Sequence, residues 1–559
     1  MMTARLCLLM TLGLGLASPK AEDDLDRDLI AHWPLAGDFR DHSGNGLDAT
    51  AEGDVDPGAL GRDGEAGHAA GFDGQGGKLV VPARPALDLA GADLTLSAWV
   101  FTEGNVDSPI GDLISRYDPD GRRGLILGIK TNAGVTFSQA NQRHLQFGID
   151  DDRESDWIDV GTPGGERSIL PFALASHEGS LYAGTCEPGE GDAGRVYRYA
   201  GGTDWIDCGA PDGSNSVTSL AVFEGKLYAG TGRYRVAGSS LPESPNETPG
   251  GRVFRYEGGT TWADCGQLPG VIAVSGLAAF RGKLYAGSLY APAGFFRYEG
   301  GTTWTALETP KGKRVEAIAP FDGHLYATSY DQGHVFRYDG HDWTDLGPLG
   351  DPELNTQTYS LAVYRGALHV GTWRSGRVYR LGEQGEWIDA GRLGEELEVM
   401  GMLVHNGRLM AGSLPLAQVY RYEGGRRWRL LTQLDDTPDV VYRRAWTMAE
   451  HGGRLFASAL PSGRVVAYRA GAMASWDQAF PAGWHHVAAV RSGGTLRLFV
   501  DGTEVASESV EGAETFDLAT EAPLRLGSGP NAPFRGRLAE VRLHGRALSA
   551  EEIQRLASP

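Results

Sequence analysis

The sequence predicts an all-β protein, and three observations support this class. Of the 559 residues, 81 are glycine and 13 are tryptophan, a composition rich in turns. Short runs of alternating apolar and polar residues recur along the chain, separated by turns that contain Gly or Asp. No long helical periodicity interrupts them. A chain of this length can form two or more domains with sizeable cores.

A repeat occupies residues 151–471. One copy is the string GKLYAGT at 225–231, and related strings begin at Gly179, Gly282, Gly323, Gly366, Gly407 and Gly453. Each copy lies in a unit of roughly 40 residues with four short strand-like segments. A repeat of this length with four strands is typical of a β-propeller, so seven copies predict seven blades.

The ends of the repeat predict how the propeller closes. A strand led by tryptophan occurs first at Trp157, before any complete unit, whereas the last unit ends on its third strand at 464–468. We therefore expect the strand at Trp157 to complete the seventh blade. Such closure protects the open sheet edges and brings residue 151 close to residue 471.

Charge and the first residues predict the compartment. The formal net charge is −21, which argues against nucleic acid as a partner because a polyanion needs a basic surface. Residues 1–21 have the pattern of a signal peptide, with Arg5, an apolar run at 6–17 and a small-residue boundary at Ala21. That run is too short to span a membrane. We expect an acidic protein that is secreted or periplasmic, without membrane insertion.

Cysteine usage predicts a disulfide-poor protein. Removal of the signal peptide removes Cys7 and leaves Cys186, Cys208 and Cys265. An odd number argues against a disulfide framework.

The segments on either side of the repeat carry ordered motifs. The first segment contains LIAHWPL at 29–35, DHSGNG at 41–46, FDG at 72–74 and LTLSAWV at 94–100. The second contains GWHHVAAV at 483–490, LFVDG at 498–502 and RALSAEEI at 546–553. In this order they resemble the LamG-like jelly roll of the concanavalin A-like lectin/glucanase superfamily, which implies a β-sandwich.

The resemblance falls in two pieces, and this predicts the domain order. The jelly roll takes residues 29–150 and 476–559, so we expect a discontinuous sandwich with a seven-bladed propeller of Kelch- or sialidase-like type inserted at 151–471. An insertion of this size is tolerated when its two ends lie close together.

One face of the predicted propeller is the candidate binding surface. Loops on the opposite face are short and uniform, whereas the loops that join strands two to three and four to one vary. Variable loops on a rigid scaffold commonly carry binding residues, and aromatic rings beside charged groups suit saccharides. The candidate ligand-binding residues are Arg233, Tyr234, Tyr290, Tyr330, Asp331, Trp373, Arg374, Arg444 and Trp446. The alternative, that these residues only cover the blade ends, stays open.

The predicted function is that of a secreted, non-catalytic recognition protein for glycans or glycosylated surfaces. The expected partner is a glycan or polysaccharide, or a cell-surface or extracellular protein. Two alternatives stay open: a polysaccharide-active hydrolase or lyase with a sialidase-like site, and an extracellular protein-interaction scaffold. Residues 329–336 fit the Asp-box pattern SxDxGxxF once, but no catalytic residue is predicted. Two acidic residues across the central opening would favour the enzyme.

The LamG-like resemblance also implies a structural calcium ion. Its candidate ligands are Asp41, Asn45 and Asp73, near the DHSGNG turn and the FDG motif. The final strand, LAEVR at 538–542, lacks one carboxylate that family members often carry there. The alternative, that Asp41 and Asn45 only stabilise a glycine turn, stays open.

Overall fold

The computed structural model describes residues 25–107 and 109–558. The predicted signal peptide at 1–21 lies outside them. The described chain is built almost entirely from β-strands, which confirms the all-β class. Among the described residues, none of the helices has the length and apolar character needed to cross a membrane. Cys186, Cys208 and Cys265 are free and buried.

The first segment of the chain forms nine strands. They are β1 (Leu29–Trp33), β2 (Thr50–Glu52), β3 (Val55–Leu60), β4 (Ala66–Asp73), β5 (Lys78–Val81), β6 (Leu94–Thr102), β7 (Gly111–Asp118), β8 (Arg123–Val135) and β9 (Ser138–Glu154).

The middle segment begins with a two-residue strand, β10 (Ile158–Asp159), and continues as consecutive antiparallel units. Units one to three are β11 (Leu170–His177), β12 (Ser180–Cys186), β13 (Val196–Gly201), β14 (Asp204–Asp207); β15 (Ser216–Phe223), β16 (Lys226–Gly232), β17 (Arg252–Gly258), β18 (Thr261–Gln267); and β19 (Val274–Phe280), β20 (Lys283–Ser288), β21 (Phe295–Gly300), β22 (Thr303–Leu307). Units four to six are β23 (Ile318–Phe321), β24 (His324–Thr328), β25 (His334–Tyr338), β26 (Trp343–Pro348); β27 (Gln357–Tyr364), β28 (Ala367–Trp373), β29 (Arg377–Leu381), β30 (Trp387–Arg392); and β31 (Glu398–His405), β32 (Arg408–Leu414), β33 (Gln418–Tyr422), β34 (Trp428–Gln433). Unit seven contains β35 (Arg444–His451), β36 (Arg454–Leu460) and β37 (Val465–Tyr468).

The last segment contains β38 (Ala470–Ala479), β39 (Gly483–Ser492), β40 (Thr495–Val500), β41 (Thr503–Ser509), β42 (Leu524–Leu526), β43 (Arg535–His544) and the helix α1 (Ala550–Leu556). Ser549 caps this helix through a reciprocal pair of hydrogen bonds with Glu552. The returning strand begins at Ala470, whereas the sequence motifs placed the second sandwich segment at 476.

The first and last segments together form two sheets of a sandwich. One sheet has the order β3-β4-β43-β6-β39-β40-β41, with β1 also paired to β43. The other has the order β2-β5-β42-β7-β8-β9-β38. Strand β6 illustrates the alternation that builds the core: Leu96, Ala98 and Val100 point inward and are buried, whereas Trp99 and Phe101 lie on the outer face.

The seven units form a closed, β-propeller-like ring. The innermost strands are β11, β15, β19, β23, β27, β31 and β35; each packs against the next, and β35 packs against β11. Strand β10 pairs with β37 and supplies the fourth strand of unit seven. The indole of Trp157 stacks on the aromatic ring of Tyr468 at a centroid distance of 4.5 Å. The closure expected from the position of Trp157 is therefore observed.

The recurring tryptophans join neighbouring units. The indole of Trp262 donates a hydrogen bond of 2.8 Å to the carbonyl oxygen of Cys208, in the preceding unit. Trp304 bonds Cys265 in the same way at 2.8 Å. Equivalent bonds are made by Trp205, Trp343, Trp387 and Trp428. The period of tryptophan in the sequence thus has a structural cause, because each indole satisfies a carbonyl group of the adjacent sheet.

A hairpin of the sandwich fills the centre of the ring. Strands β8 and β9 are long, and each of the seven innermost strands contacts one or both of them. At the hairpin tip, the carbonyl oxygen of Phe137 accepts a hydrogen bond from the amide of Leu277, and the Ser138 hydroxyl accepts one from Leu220. The sequence analysis assumed a central opening in the propeller. In the structure the hairpin occupies that position.

The sandwich lies against the ring face with the short, uniform turns. The amide of Gly179 donates to the carbonyl of Asp477, Gly452 donates to the Asp477 carboxylate at 2.8 Å, and Arg365 donates to Pro530. The uniformity of these turns is therefore explained by a packing surface. The variable loops face away from the sandwich.

Buried ion pairs hold the hairpin inside the ring. The Lys130 ammonium lies 2.8 Å from the carboxylate of Glu450, on β35. His405 Nδ1 lies 2.9 Å from the same carboxylate, and Asn132 and Gln146 each donate to it at 3.2 Å. Burial disfavours the charge, but Lys130 and His405 outweigh it and lower the pKa of Glu450 to about 2.

Candidate functional site

The ring mouth is the surface around the hairpin tip on the variable-loop face, and we define it by Phe137, Glu316, Tyr330, Tyr359, Trp373, Glu398, Arg444 and Trp446. Phe137 forms its floor. The ring of Phe137 lies 5.9 Å from that of Phe172 and 6.4 Å from those of Tyr330 and Trp446, measured between centroids. The hairpin tip thus fills the ring centre beneath these aromatic side chains.

The nine residues predicted from the variable loops lie at different depths. Tyr234, Arg444 and Trp446 are buried, with 7%, 7% and 3% of their surface exposed. Half-buried positions are held by Arg233, Tyr290, Tyr330, Asp331 and Trp373, and Arg374 is exposed. The structure brings Tyr234, Tyr330, Arg444 and Trp446 together around Phe137.

Arg444 lies at the centre of the predicted set. Its Nη1 donates to the Tyr234 hydroxyl at 3.3 Å and to the hydroxyl of Ser239. Its guanidinium carbon lies 5.3 Å from the ring centroid of Trp446. Because these contacts hold Arg444 and Trp446 inside the mouth, both residues also support packing.

Other predicted residues already have partners. Asp331 receives three side-chain hydrogen bonds from Arg314, the shortest at 2.7 Å, and its pKa is lowered because that cation outweighs its partial burial. Arg233 lies 3.4 Å from the Glu247 carboxylate. Trp373 is the last residue of β28, and Arg374 follows it. The ring of Trp373 meets that of Tyr442 edge-on, at 6.0 Å between centroids. Among the predicted aromatic residues, Trp373 therefore makes the fewest contacts that hold it in place.

Two carboxyl groups that the sequence analysis did not select lie at the mouth. Glu316 precedes the innermost strand of unit four, and Glu398 begins that of unit six. Both are buried, with 0% and 1% exposed. Arg444 begins the innermost strand of unit seven. The sequence contained a signal for all three residues, because each is a charged residue at or just before the start of an innermost strand.

The electrostatics of these carboxyl groups are unusual. Neither carboxylate oxygen of Glu316 has a hydrogen-bond partner among the described residues, and its nearest cation, Arg314 Nε, is 4.0 Å away. Burial raises the pKa of Glu316 well above its ordinary value. Burial also raises the pKa of Glu398 to about 7, against the opposing effect of Arg444 at 4.0 Å. Burial therefore favours the neutral form of Glu316, and Glu398 titrates near neutral pH.

Tyr330 lies close enough to both carboxyl groups for their charges to affect its ionisation. Its ring packs on that of Tyr359 at 4.6 Å between centroids. Burial raises the pKa of Tyr330 well above 10, and the charges of Tyr359, Glu316 and Glu398 act in the same direction. The mouth thus combines phenol hydroxyls, two buried carboxyl groups with raised pKa values and a guanidinium.

The sandwich carries a second concave surface, the sandwich groove, with a volume of about 790 Å³. Its floor is the outer face of β6 and β43. The guanidinium of Arg537 lies 3.7 Å from the ring centroid of Phe101, and that of Arg62 lies 3.9 Å from Trp99 nearby. The ring of Trp484 is 5.6 Å from that of Phe101. This groove presents aromatic faces that guanidinium groups already cover.

The residues proposed for calcium are occupied by other contacts. Asp41 accepts hydrogen bonds from the amides of His32, Ser43 and Leu47 at 2.9–3.0 Å, and from the Ser43 hydroxyl at 2.8 Å. Asn45 donates to the carbonyl oxygens of the strand that precedes the turn. These bonds use the acceptor positions of Asp41 and favour the turn-forming role.

Asp73 lies on the sandwich groove and accepts from the amide of Gln75 at 2.8 Å. Across residues 25–107 and 109–558, no group of three or more His, Cys, Asp or Glu side chains is arranged to hold a metal ion. The calcium ion stays a prediction.

Comparison with known proteins supports the lectin-like sandwich in part. The family model described as the concanavalin A-like lectin/glucanases superfamily (Laminin_G_3) matches residues 439–554. The match covers the last unit of the ring and the second sandwich segment. No curated protein matches the chain in sequence.

Solved structures that are similar to the chain include β-propeller-like folds. A virginiamycin B lyase from Staphylococcus aureus has 10% identity and a TM-score of 0.44, covering 57% of this chain and 99% of its own. A streptogramin B lyase has 12% identity and a TM-score of 0.44, covering 56% and 97%. The extracellular domain assigned to a one-component system of B. thetaiotaomicron has 13% identity and a TM-score of 0.41, covering 56% and 40%. At these scores, no functional argument rests on the likenesses.

Proposed function

We propose that the protein is an extracytoplasmic recognition protein that binds saccharide chains at the ring mouth. One observation carries the proposal: the mouth concentrates buried polar atoms that have no partner among the described residues. They are both carboxylate oxygens of Glu316, Oε1 of Glu398, Nε of Arg444 and the indole nitrogen of Trp446. Leaving a buried polar group unpaired costs about 1–3 kcal/mol. Folding alone does not require such a cluster, whereas a polar ligand would satisfy it.

The chemistry of the mouth suits a saccharide. Hydroxyl groups of a sugar both donate and accept hydrogen bonds, and the mouth offers carboxyl, phenol, guanidinium and indole groups within one surface. The half-buried rings of Tyr290, Tyr330 and Trp373 offer apolar faces for the C–H face of a pyranose. The match to a family that includes lectins supports the same class of ligand.

The domain arrangement supports an architecture for recognition. We propose that the ring is a seven-bladed propeller of Kelch- or sialidase-like type inserted into the sandwich between β9 and β38. Those two strands pair with each other along their length, so the ring begins and ends at adjacent positions. The signal peptide predicted at 1–21 supports secretion, and three free, buried cysteines fit a protein that needs no disulfide framework.

Retention of the purified protein on immobilised polysaccharides tests this function. Trp373→Ala should weaken retention at least about fivefold, because a stacking ring contributes roughly 1 kcal/mol or more. Trp484→Ala, which removes a ring beside the sandwich groove, is the matched control and should leave retention at the mouth unchanged. If Trp373→Ala binds as the parent does, or if only Trp484→Ala loses retention, the mouth is not the binding surface.

The two buried carboxyl groups favour a second candidate function, a polysaccharide hydrolase or lyase at the same mouth. A carboxylic acid whose pKa is raised can act as a general acid, and a second carboxylate is the usual companion in glycoside hydrolysis. Glu316 and Glu398 both lie close enough to Tyr330 to influence its ionisation. Release of new reducing ends by the parent and its loss in Glu398→Gln, with retention preserved, would support the enzyme. Retention without release would support the recognition protein.

A further inference from the structure

We infer that the ring mouth selects saccharides that carry an anionic group, a carboxylate or a sulfate. This inference rests on the proposed saccharide-binding function and names the ligand class of the same site.

The first support is a set of unpartnered donors. Arg443 Nε, Arg444 Nε and the indole nitrogen of Trp446 are buried donors without a partner among the described residues. A guanidinium has no acceptor atom, and an indole nitrogen only donates. Burial raises the pKa of Glu316, which favours the protonated form, and that form can also donate. A ligand that complements this set must supply acceptors, and an anionic oxygen is the strongest acceptor a saccharide can offer.

The second support is that three arginines on the loops around the mouth lack a close ion-pair partner among the described residues. Arg235 is exposed and holds its guanidinium 4.6 Å from the ring centroid of Tyr290. Arg374 is exposed after β28, and Arg443 donates from Nη1 to the carbonyl oxygen of Thr437 at 3.0 Å. Within the described part of the chain, none of these three forms an ion pair of 4.0 Å or less.

Arginines on the third strands of the ring units behave differently. Arg255 pairs with Glu257 at 2.6 Å, and Arg297 pairs with Glu299 at 2.7 Å. In a chain with a net charge of −21, carboxylates are abundant, yet they do not neutralise Arg235, Arg374 or Arg443.

The net negative charge does not prevent this selectivity. Charges separated by more than about 8 Å are largely screened at physiological ionic strength, whereas contacts in a partly buried site are screened less. Arg314 and Arg233 are already neutralised by Asp331 and Glu247. Arg235, Arg374 and Arg443 therefore supply positive charge on the loops around the mouth, and Arg444 lies within it, 4.0 Å from Glu398.

Retention of the full mature protein on matched polymers tests the inference. The probes are polygalacturonate, the same polymer after full methyl esterification, sulfated dextran and unmodified dextran. The parent should bind polygalacturonate or sulfated dextran at least about tenfold more tightly than the neutral counterpart, because a charge-assisted hydrogen bond is roughly twice as strong as a neutral one. Retention on polygalacturonate identifies a carboxylate as the anionic group, and retention on sulfated dextran identifies a sulfate.

A pair of double variants localises the effect. Arg235→Ala with Arg374→Ala should reduce binding of the anionic polymer about tenfold or more. Arg255→Ala with Arg297→Ala removes two positive charges from paired, partly exposed positions and should leave binding unchanged. Circular dichroism checks that both double variants fold.

The outcomes separate the two proposals. Equal binding of the anionic and neutral polymers, or equal losses in both double variants, overturns the anionic selectivity and leaves saccharide binding in place. Absence of binding to all four polymers, and to the immobilised polysaccharides used to test Trp373→Ala, overturns the proposed function itself.

Discussion

Charged groups are buried at both ends of the ring centre, but only at the sandwich end do they have close ionic partners among the described residues. At the sandwich end, the carboxylates of Glu450 and Asp150 lie 2.7–2.9 Å from cationic nitrogens of Lys130 and Arg408. At the mouth, the carboxyl groups of Glu316 and Glu398 are 4.0 Å from the nearest guanidinium nitrogen. Close pairing offsets the cost of burial, and its absence leaves that cost in place.

This difference separates a structural site from a candidate binding site. The paired end joins the sandwich hairpin to the ring, whereas the unpaired end faces the variable loops. Burial by itself therefore does not identify function in this protein. The decisive property is whether each buried charge has a partner within the chain. Three predictions test this comparison, from the largest expected effect to the smallest.

The largest effect is expected at the paired end. Glu450→Ala leaves the buried Lys130 ammonium without its carboxylate and should lower the free energy of unfolding by about 3–5 kcal/mol. Urea unfolding followed by tryptophan fluorescence measures this change. The control Glu257→Ala breaks the more exposed pair with Arg255 and should cost no more than about 1 kcal/mol. Equal costs for the two variants would contradict the distinction between paired, buried charges and surface charges.

The second effect is a pH dependence at the mouth. The folded-state pKa of Glu398 is about 7, above its ordinary value of 4.5, so the protonated form is favoured by folding. The titration of Glu398 therefore leaves stability unchanged below about pH 4.5, lowers the free energy of unfolding as the pH rises from 4.5 to 7, and adds no further loss above about pH 7. By linkage, this penalty reaches about 3 kcal/mol at pH 9.

Glu398→Gln removes this titration. The free energy of unfolding of the variant relative to the parent should increase by about 2–3 kcal/mol between pH 5 and pH 9, and most of this increase should occur below about pH 7. Urea unfolding at both pH values gives the comparison, and Glu257→Gln serves as the control. If the difference stays constant with pH, the pKa of Glu398 is not raised by folding. The contrast between the paired and unpaired ends would then weaken.

The smallest effect is expected at the DHSGNG turn of the sandwich. Since Asp41 already accepts four hydrogen bonds there, we expect a chelator to leave the melting temperature unchanged within about 1 °C. A calcium ion bound at a hundredfold excess over its Kd would instead stabilise the fold by about 2.7 kcal/mol. A clear rise in melting temperature on adding calcium would support the LamG-like calcium site and contradict the turn-forming role.

Some features of the fold could be predicted because they repeat along the chain. The string GKLYAGT and its six relatives predict units of four strands, and the Trp157 strand predicts the closure observed between β10 and β37. Local patterns suffice here because each unit contacts mainly its neighbours. The uniform turns also predicted a structural face.

Other features depend on residues far apart in sequence and could not be predicted from local patterns. The hairpin of β8 and β9 enters the ring through contacts with strands that span residues 170–451. Its tip at Phe137 carries no recognisable motif. The candidate site was predicted only in part for the same reason: Glu316 and Glu398 come together with Tyr330 through the curvature of the ring, and no sequence spacing records that distance.

The sequence by itself determined the all-β class, the seven repeated units, the tryptophans that join them and the face on which loops vary. These properties follow from period, turn residues and alternation, which are local. The tertiary structure alone decided that the sandwich hairpin fills the ring, that Trp446 and Tyr234 pack as well as line the mouth, and which buried charges are paired. Pairing depends on distances of a few ångström between distant segments, because electrostatic and hydrogen-bond energies change steeply over that range.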